Sequence, residues 1–339
     1  NMLSQGYGSS PEESLTSRRK PAAGPSIQVV EGHRVDGDRL SRLVGLVEGA
    51  FNGWPFPGSR LDPREHLRWK LIEPPAGSTL VTAELEGDVV GLYAVLHRTW
   101  LVEGEPRSVR DVVDLAVDPE HRGQGVFRLM SRYAQQHVNP AFDLSLTYLE
   151  RPQTRRLAYQ AGDRHPANRI AVLVRVRSAR RLAARLRSGG RRAPLPLLTA
   201  ALAAARAINR VRYQMPAAGA RDFDLHPVDR FDERIEPFAE QASAAFDLIQ
   251  ERSERFLNWR YSDRRSGSFT IRLAERDREV LGYAVLSKSG DRGFIADLLA
   301  LPGRTDVARA LIEEAMRIFD EDGGVSHVVC WLPRFHPYY

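Results

Sequence analysis

The chain has 339 residues, of which 42% are hydrophobic and 27% are charged, a composition typical of globular proteins and unlike that of disordered or fibrous chains. This length leaves room for two domains of ordinary size. No apolar run approaches the roughly 20 residues of a membrane-spanning helix, and residues 1–25 lack the apolar core of a secretion signal. The single cysteine, Cys330, excludes an intrachain disulfide and a multi-cysteine zinc site. We therefore expect a cytoplasmic protein.

The net charge of +6 is concentrated in one segment of the chain. Between Arg175 and Arg212 there are eleven arginines and no acidic residue. Removing those eleven charges from the total leaves −5 for the rest of the chain, so nucleic acid is not an expected partner of the regions on either side. Any attraction to phosphate, to lipid headgroups or to an acidic partner is expected to come from this segment.

The order of the predicted elements indicates a mixed α/β fold. Residues 1–25 mix serine, proline, glycine and charged residues without a period, which predicts a flexible tail. After this tail, hydrophobic periodicity and turn residues predict strands at 27–30, 79–86, 89–98, 107–117, 142–150 and 168–177. They predict helices at 40–51, 125–137 and 153–161.

Three short matches relate the two halves of the chain. The stretches around Trp69 and Trp259 are similar, and they are followed in the same order by similar strands at 90–96 and 281–286 and at 114–119 and 297–302. We interpret these matches as two copies of one fold. The predicted organisation is a tail at 1–25, an N-terminal domain at 26–177, a basic helical linker at 178–219 and a C-terminal domain at 220–339 that lacks counterparts of the last helix and strand of the first.

A strand, a turn and a helix meet at residues 115–127, and this joint is rich in backbone N–H groups. The apolar strand ends at Val117, and Arg122-Gly123-Gln124-Gly125 opens the following helix. Glycines let the main chain approach an anion closely, and a helix N-terminus presents unpaired donors with the positive end of the helix dipole. The sequence therefore predicts an anion site here. The corresponding turn of the second half, 303–308, has lost these glycines apart from Gly303.

These residues resemble the GNAT superfamily of N-acetyltransferases, whose motif is Arg/Gln-x-x-Gly-x-Gly/Ala after a strand of the Leu-x-Val-x-Pro type. Arg122 and Gly125 match the motif, whereas Phe127 stands where the family has a small residue. The order of elements over 27–177 also resembles the family. The resemblance implies an α/β (α+β) fold class, with two tandem GNAT-like acyl-CoA N-acyltransferase folds, each a mixed central sheet flanked by helices, the second copy being degenerate.

The resemblance also implies acetyl-CoA as co-substrate. The pyrophosphate is expected on the backbone amides of Arg122, Gly123, Gln124, Gly125, Val126 and Phe127. The pantetheine is expected beside Leu115, Ala116 and Val117, with a backbone N–H near Val117 polarising the thioester carbonyl. Nine histidines are scattered without metal-ligand spacing, so no metal is expected.

Direct transfer to an amine requires a base for the attacking nitrogen and an acid for the leaving thiolate. Asp111 and Glu150 are the candidate bases, while Asp114 is expected on the opposite side of its strand by period-two alternation. Tyr159 is the candidate acid, and Tyr148 is the second choice. The family has a tyrosine four residues before a glycine, whereas Tyr159 lies three residues before Gly162. The alternative for each carboxylate is an ordinary solvated or salt-bridged residue at a strand end. The alternative for each tyrosine is a packed aromatic side chain without a catalytic role.

The sequence thus predicts an N-acetyltransferase that transfers an acetyl group from acetyl-CoA to the amine of a small molecule by direct attack in a ternary complex. Two alternatives remain. One is an aminoacyl-tRNA-dependent aminoacyltransferase of the cell-envelope type, which the arginine segment favours, and the other is a non-catalytic CoA-binding scaffold. Trp69 and Trp259, with their aliphatic neighbours, are predicted to be core or interdomain anchors.

The basic segment at 178–215 is predicted to form two amphipathic helices. We expect them to dock on the domains because the spacing of the apolar residues Leu182, Leu186, Leu198, Leu202 and Ile208 suits burial of one face of each helix. Peripheral contact with an anionic membrane is the alternative.

Overall fold

The computed structural model describes residues 24–51, 54–55, 59–146, 170–190, 193–212 and 221–333. In its first half, strands β1 (Ser26–Glu31), β2 (Ser78–Leu85), β3 (Asp88–Val102), β4 (Glu105–Val117) and β5 (Leu144–Leu146) lie side by side in chain order. All neighbours are antiparallel except β4 and β5, which are parallel. The strands predicted at 79–86, 89–98 and 107–117 are confirmed, with longer bounds for the last two.

Helices cover both faces of this first sheet. Helix α1 (Gly37–Ala50) begins where the Asp36 side chain accepts a bond from the Arg39 amide, and its Leu40, Leu43, Leu46 and Val47 are buried at helical spacing. They pack with Leu92, Ala94 and Leu96 on one side of β3. Helix α2 (Pro63–Leu67) continues into a π-helical turn at Arg68–Ile72. Helix α3 (Val126–His137) packs on the opposite face.

The second half repeats this arrangement. After strand β6 (Ile170–Val176) come helices α4 (Ala179–Ser188) and α5 (Leu195–Arg212), and then β7 (Asp224–Val228), α6 (Ile235–Ser243), β8 (Leu248–Gln250), α7 (Glu254–Leu257) and a π-helical turn at Asn258–Ser262. The remaining elements are β9 (Phe269–Arg276), β10 (Glu279–Ser289), β11 (Arg292–Ala300), α8 (Thr305–Glu321) and β12 (His327–Pro333). The sheet order is β6-β12-β11-β10-β9-β7, with β11 and β12 parallel.

Each sheet contains a strand from outside its own half. Strand β6 was expected to complete the first domain, but it pairs with β12 along its whole length and becomes an edge strand of the second sheet. Strand β8 pairs with β3 at Trp100–Val102 and thereby extends the first sheet. We call the first sheet with α1–α3 the first lobe, and the second sheet with α4–α8 the second lobe. A domain boundary at 177 would cut through the second sheet.

The two π-helical turns meet at the contact between the lobes. The rings of Trp69 and Trp259 stack with their centroids 4.7 Å apart. The Trp69 Nε1 donates to the Trp259 carbonyl oxygen over 2.8 Å, and the Trp259 Nε1 donates to the Trp69 carbonyl oxygen over 3.1 Å. Both side chains are buried. The tryptophans are therefore reciprocal anchors between the lobes, as the sequence predicted.

Helix α4 docks on the second lobe, whereas much of α5 does not bury its apolar side chains. Leu182 and Ala183 of α4 are buried, and Arg177, Arg181 and Arg185 bind Asp320, the Gly323 carbonyl oxygen and Asp291. Ile208 was expected to be buried, but it is 62% exposed. Among the described residues, no helix is both long and apolar enough to cross a membrane.

Candidate functional site

The turn between β4 and α3 adopts the conformation that its two glycines permit. Gly123 has φ +79° and Gly125 has φ +85°, both in the left-handed region that favours glycine. Gly125 is the N-cap of α3, so the helix begins immediately after it at Val126. A Cβ atom at either glycine would find no atom within 4 Å. The space in front of both glycines is therefore open to a ligand.

Six consecutive backbone amides in and after this turn have no hydrogen-bond partner among the described residues. They belong to Gly123, Gln124, Gly125, Val126, Phe127 and Arg128, and the first amide of the helix that is bonded is that of Leu129, to the Gly125 carbonyl oxygen. A helix N-terminus leaves such donors free, and its dipole attracts negative charge. The arrangement can therefore hold a phosphate or pyrophosphate through main-chain atoms.

Hydrogen bonds brace the turn against the rest of the first lobe. The Asp118 amide donates to the Val90 carbonyl oxygen over 3.0 Å, and the Asp118 carboxylate accepts from the Glu120 amide over 2.8 Å. The Arg122 side chain donates to the carbonyl oxygens of Val117 (3.3 Å) and Ala50 (2.9 Å). The matched arginine of the motif thus ties the turn to the end of α1. Its own amide donates to the Pro119 carbonyl oxygen over 3.4 Å, so Arg122 does not supply the free donor that the sequence predicted.

Close packing under α3 fixes its position over the sheet. A Cβ atom at Gly91 would lie 2.9 Å from the side chains of Met130 and Val126, so any other residue there would require these side chains to shift. Val126 is buried, and Phe127, which replaces the small residue of the motif, is half-buried. The Phe127 amide is one of the six amides without a hydrogen-bond partner among the described residues.

A β-bulge changes the course of β4 in front of the turn. The register with β3 shifts between Leu92 and Ala94, and Asp114 has φ +45°. The described pairing of β4 with β5 ends where Asp111 faces Leu146. Leu115, Ala116 and Val117 therefore follow the bulge and lead directly into the turn, where the resemblance places the pantetheine. Val117 already accepts a bond from Arg122 at its carbonyl oxygen.

Asp111 lies on the face of β4 that is turned toward α1 and the second lobe. Its Oδ1 is buried without a hydrogen-bond partner, and its Oδ2 lies 3.7 Å from the Arg98 Nε. Burial raises the pKa of the Asp111 carboxyl above its ordinary value, although Arg98 and Lys70 act in the opposite direction. A carboxylate with a raised pKa and a free oxygen can accept a proton, which is the property that a general base requires.

The bulge also overturns the expected orientation of Asp114. Alternation predicted that Asp114 would point away from Asp111, but its carboxylate forms an ion pair of 2.7 Å with Lys70, which also acts on Asp111. A bulged residue interrupts the period of two, so both carboxylates contact the same region. Asp114 is therefore ion-paired with Lys70, although its Oδ2, like the Oδ1 of Asp111, is buried without a hydrogen-bond partner among the described residues.

Arg98 connects Asp111 to the second lobe. Its guanidinium carbon lies 4.9 Å from the centre of a Trp259 ring and 5.4 Å from that of Phe256, so the cation rests on aromatic faces of the other half. A pocket of about 180 Å³ opens beside it. The residues lining this pocket include Ala76, His97, Thr99, Gln250, Ser253 and Arg255. The sequence analysis missed Arg98 and Lys70, although the run Leu92-Ala94-Leu96 already places Arg98 on the core side of β3.

The candidates Glu150, Tyr148 and Tyr159 lie outside the described residues, and so does the helix predicted at 153–161. Among the residues described, no three His, Cys, Asp or Glu side chains form a group that could hold a metal ion.

The corresponding turn of the second lobe is built differently. The Leu301 amide donates to the Leu281 carbonyl oxygen, as Asp118 does to Val90 in the first lobe. Helix α8 then begins after Arg304, and the amides of Val307 and Ala308 both donate to the Arg304 carbonyl oxygen. Asp306 lies in the first turn, and its bond from Arg304 lowers the pKa of its carboxyl. The Asp306 carboxylate at the start of this helix is paired with Arg304, and its negative charge disfavours a phosphate there.

Comparison with known proteins agrees with the first-lobe geometry. Residues 33–149 match the family model for the acetyltransferase (GNAT) domain. No curated protein sequence matches the chain. At the level of solved structures, 90% of the chain superposes on a conserved protein of unknown function, a probable N-acyltransferase, from Enterococcus faecalis V583, with a TM-score of 0.59 and 12% identity.

Two further structures are similar. A GCN5-related N-acetyltransferase from Anabaena variabilis ATCC 29413 covers 92% of the chain with a TM-score of 0.55 and 13% identity. The N-myristoyltransferase of Saccharomyces cerevisiae with bound myristoyl-CoA covers 94% with a TM-score of 0.54 and 12% identity, and the chain covers 75% of that protein. The chain spans 65% of the Enterococcus protein and 67% of the Anabaena protein. At these identities the likeness shows the fold, and the predicted fold class is confirmed.

Proposed function

We propose that the protein is an N-acetyltransferase that transfers the acetyl group of acetyl-CoA to the amine of a small molecule, because residues 33–149 match the family model for the GNAT acetyltransferase domain. The observation that carries this proposal is the row of unpartnered amides from Gly123 to Arg128 at the start of α3. The pyrophosphate of CoA supplies the negative charge that this row can bind. The pantetheine then extends along Leu115, Ala116 and Val117 toward the bulge of β4.

The proposed reaction is a direct attack in a ternary complex. The amine nitrogen bonds to the thioester carbonyl carbon, and the carbon–sulfur bond breaks as the electron pair leaves with the thiolate. Asp111 removes the proton of the amine, for which its raised pKa and its free Oδ1 are suited. Glu150 is the alternative base. Tyr159 protonates the departing thiolate, and a backbone N–H near Val117 polarises the carbonyl oxygen.

The second lobe does not bind the donor in this proposal, and it shapes the acceptor side instead. Residues of both lobes line the pocket beside Arg98, and the Arg98 guanidinium lies next to the Asp111 carboxylate. Trp259 and Phe256 hold Arg98 in place, and Arg98 in turn adjusts the carboxylate that acts as base. In this proposal the amine acceptor occupies the pocket beside Arg98 and approaches the thioester from there.

Calorimetric titration with acetyl-CoA, followed by measurement of thiol release with a panel of small amines, tests the proposal. We expect binding at a ratio of one to the full chain, and thiol release that depends on the amine. If acetyl-CoA binds but no amine causes release of the thiol, the protein is a non-catalytic CoA-binding scaffold. Absence of binding would contradict the proposal and would favour an aminoacyl-tRNA-dependent transfer, for which charging of an acceptor from aminoacyl-tRNA is the direct assay.

A further inference from the structure

Large apolar side chains are exposed together on one part of the second lobe. We define the exposed apolar face as Val172 and Val174 of β6, Leu197 and Ile208 of α5, and Trp331 of β12. Their exposed fractions are 57%, 48%, 65%, 62% and 51%. The other large hydrophobic side chains in the described part of the chain that are exposed reach at most 44% and lie on scattered elements. Clustering of this kind marks an interaction surface rather than the ordinary exposure of single residues.

The elements that carry this face are neighbours in the fold. Trp331 pairs directly with Val172 across β12 and β6, so both side chains lie on the same side of the sheet, and Val174 follows two residues later. Helix α5 contacts β6. On α5 the exposed residues Leu197, Ala201, Ala204 and Ile208 recur every three or four positions and therefore form one stripe. A second stripe, with Leu198 and Leu202, is half-buried.

Positive charge surrounds this face without being fully neutralised. Arg177, Arg181 and Arg185 bind the second lobe, but Arg180, Arg187 and Arg206 are exposed and have no ion-pair partner among the described residues. The pKa of Arg177 is lowered by burial and then by the neighbouring charges of Arg175 and Arg206. Since the segment from 175 to 212 contains no acidic residue, its positive potential is available to an anionic partner.

The combination of charge and apolar area selects among the partners. A second copy of the chain joined through the same face would place arginines opposite arginines, which is unfavourable. A nucleic acid would use the arginines but would leave the leucine, isoleucine and valine side chains without suitable contacts. A membrane surface with anionic lipids accommodates both, because headgroups attract the arginines while aliphatic and tryptophan side chains enter the interface.

We propose that the exposed apolar face and the exposed arginines of α4 and α5 bind the surface of a membrane that contains anionic lipids. The protein would lie on this surface through Leu197, Ile208 and Trp331. This binding is independent of acyl transfer and of the turn at 122–128, which belongs to the other lobe.

Flotation of the full chain with vesicles tests the proposal. The probes are vesicles of phosphatidylcholine alone and of phosphatidylcholine mixed equally with phosphatidylglycerol, each at low and at physiological salt. We expect binding to the mixed vesicles only, and weaker binding as salt increases. Joint substitution of Arg180→Gln, Arg187→Gln and Arg206→Gln should lower the partition coefficient about 100-fold, since each arginine near an anionic surface contributes roughly a factor of five to ten.

A second variant tests the apolar part. Leu197→Gln with Ile208→Gln should lower partitioning at least about 10-fold, and it should do so at low salt too. The matched controls are Arg34→Gln with Arg132→Gln and Arg230→Gln, which removes three exposed arginines of other parts of the chain, and Val29→Gln with Leu129→Gln, which removes exposed apolar side chains of the first lobe. Both controls should retain binding. Circular dichroism and melting temperature confirm that each variant is folded, as expected for exposed positions.

Four results would overturn the proposal. The first is no binding to the mixed vesicles at low salt, and the second is an equal loss of vesicle binding in the control variants. The third is a loss of vesicle binding in the arginine variant with no loss in the Leu197 and Ile208 variant. The fourth is an oligomer that forms without lipid and that the Leu197 and Ile208 substitutions dissociate. The third result would indicate an acidic polymer as partner. The fourth would indicate that the face is an interface between copies of the chain.

Discussion

The two strand–turn–helix joints of this chain, at 117–126 and at 300–305, hold the same place in two similar lobes but have opposite electrostatic character. In the first, two glycines have positive φ, and six consecutive amides have no hydrogen-bond partner among the described residues. In the second, one glycine remains, the amides of Val307 and Ala308 are bonded to Arg304, and the Asp306 carboxylate lies in the first helical turn. A fold can therefore be retained while its anion site is lost.

The comparison extends to the neighbouring strands. On β4 Asp111 faces Leu96, and the corresponding place on β11, opposite Ser287, is taken by Phe294. The second lobe thus lacks both the open turn and the carboxylate. It retains the tryptophan and the edge strand through which it contacts the first lobe. The first lobe contains the candidate donor turn and Asp111, and the second lobe contains the residues that join it to the first.

The largest expected effect is on turnover. Asp111→Asn should lower the rate of thiol release by roughly 10²–10⁴ with little change in acetyl-CoA affinity, because removal of a general base affects only the chemical step. Glu150→Gln is the parallel test of the alternative base. The rate is measured with a weakly nucleophilic, mostly protonated amine. Full rates in both variants would show that neither carboxylate is the base.

The next effect is on donor binding. Gly125→Val should lower acetyl-CoA affinity about 100-fold, because the side chain fills the opening and the residue must keep a φ of +85°. Gly87→Val and Gly303→Val are matched controls, since both glycines have positive φ and open space around them. They should bind acetyl-CoA like the unaltered chain. A folded Gly125→Val variant with unchanged affinity would contradict the assigned site.

A smaller effect concerns the contact between the lobes. Trp259→Phe removes the donor to the Trp69 carbonyl oxygen and part of the surface under Arg98. We expect a loss of about 1–3 kcal/mol in the free energy of unfolding, since a buried carbonyl loses its partner. Urea denaturation measures it. Trp331→Phe, at an exposed tryptophan of the same lobe, is the control and should change stability little.

The pH dependence of stability separates Asp111 from an ordinary surface carboxylate. Its pKa is raised in the native state, so the native state binds more protons than the unfolded state in the window between the two values, and stability falls as pH rises through that window. Asp111→Asn should therefore gain stability relative to the unaltered chain as pH rises from the acid range to neutrality.

Asp143 provides a control with the opposite sign. Its carboxylate accepts bonds from the amide and the hydroxyl of Ser108, which lower the pKa of its carboxyl, so its contribution is lost as pH falls. Asp143→Asn should lose stability relative to the unaltered chain as pH rises. The same trend in both variants would contradict the assignment of a raised pKa to Asp111.

Local patterns predicted the first lobe well. The glycine turn, the alternation of β3 and the helical spacing in α1 and α3 each act within a few residues, so their structure is encoded locally. The Asp114 orientation was wrong because a bulge depends on how two strands fit together, and period two alone contains no sign of it.

The exchange of strands could not be predicted in the same way. The valine-rich sequence around Val172 and Val174 suits a strand in either sheet. Its pairing with β12 joins residues that are far apart in the chain, so local patterns do not predict it. The three-residue strand β8, which joins the first sheet from the second half, is too short to have a distinct period. Arg98 was missed because the aromatic residues under it, Phe256 and Trp259, come from the other half of the chain.

Hydrogen exchange of the backbone amides, with and without acetyl-CoA, tests the central claim most directly, namely that only the first lobe retains a donor site. Peptides covering 119–130 and 301–309 are compared in the full chain. The account predicts slower exchange at Gly123–Arg128 when acetyl-CoA is present and no change at 301–309. Protection at 301–309, or saturating binding of acetyl-CoA without protection at Gly123–Arg128, would contradict it.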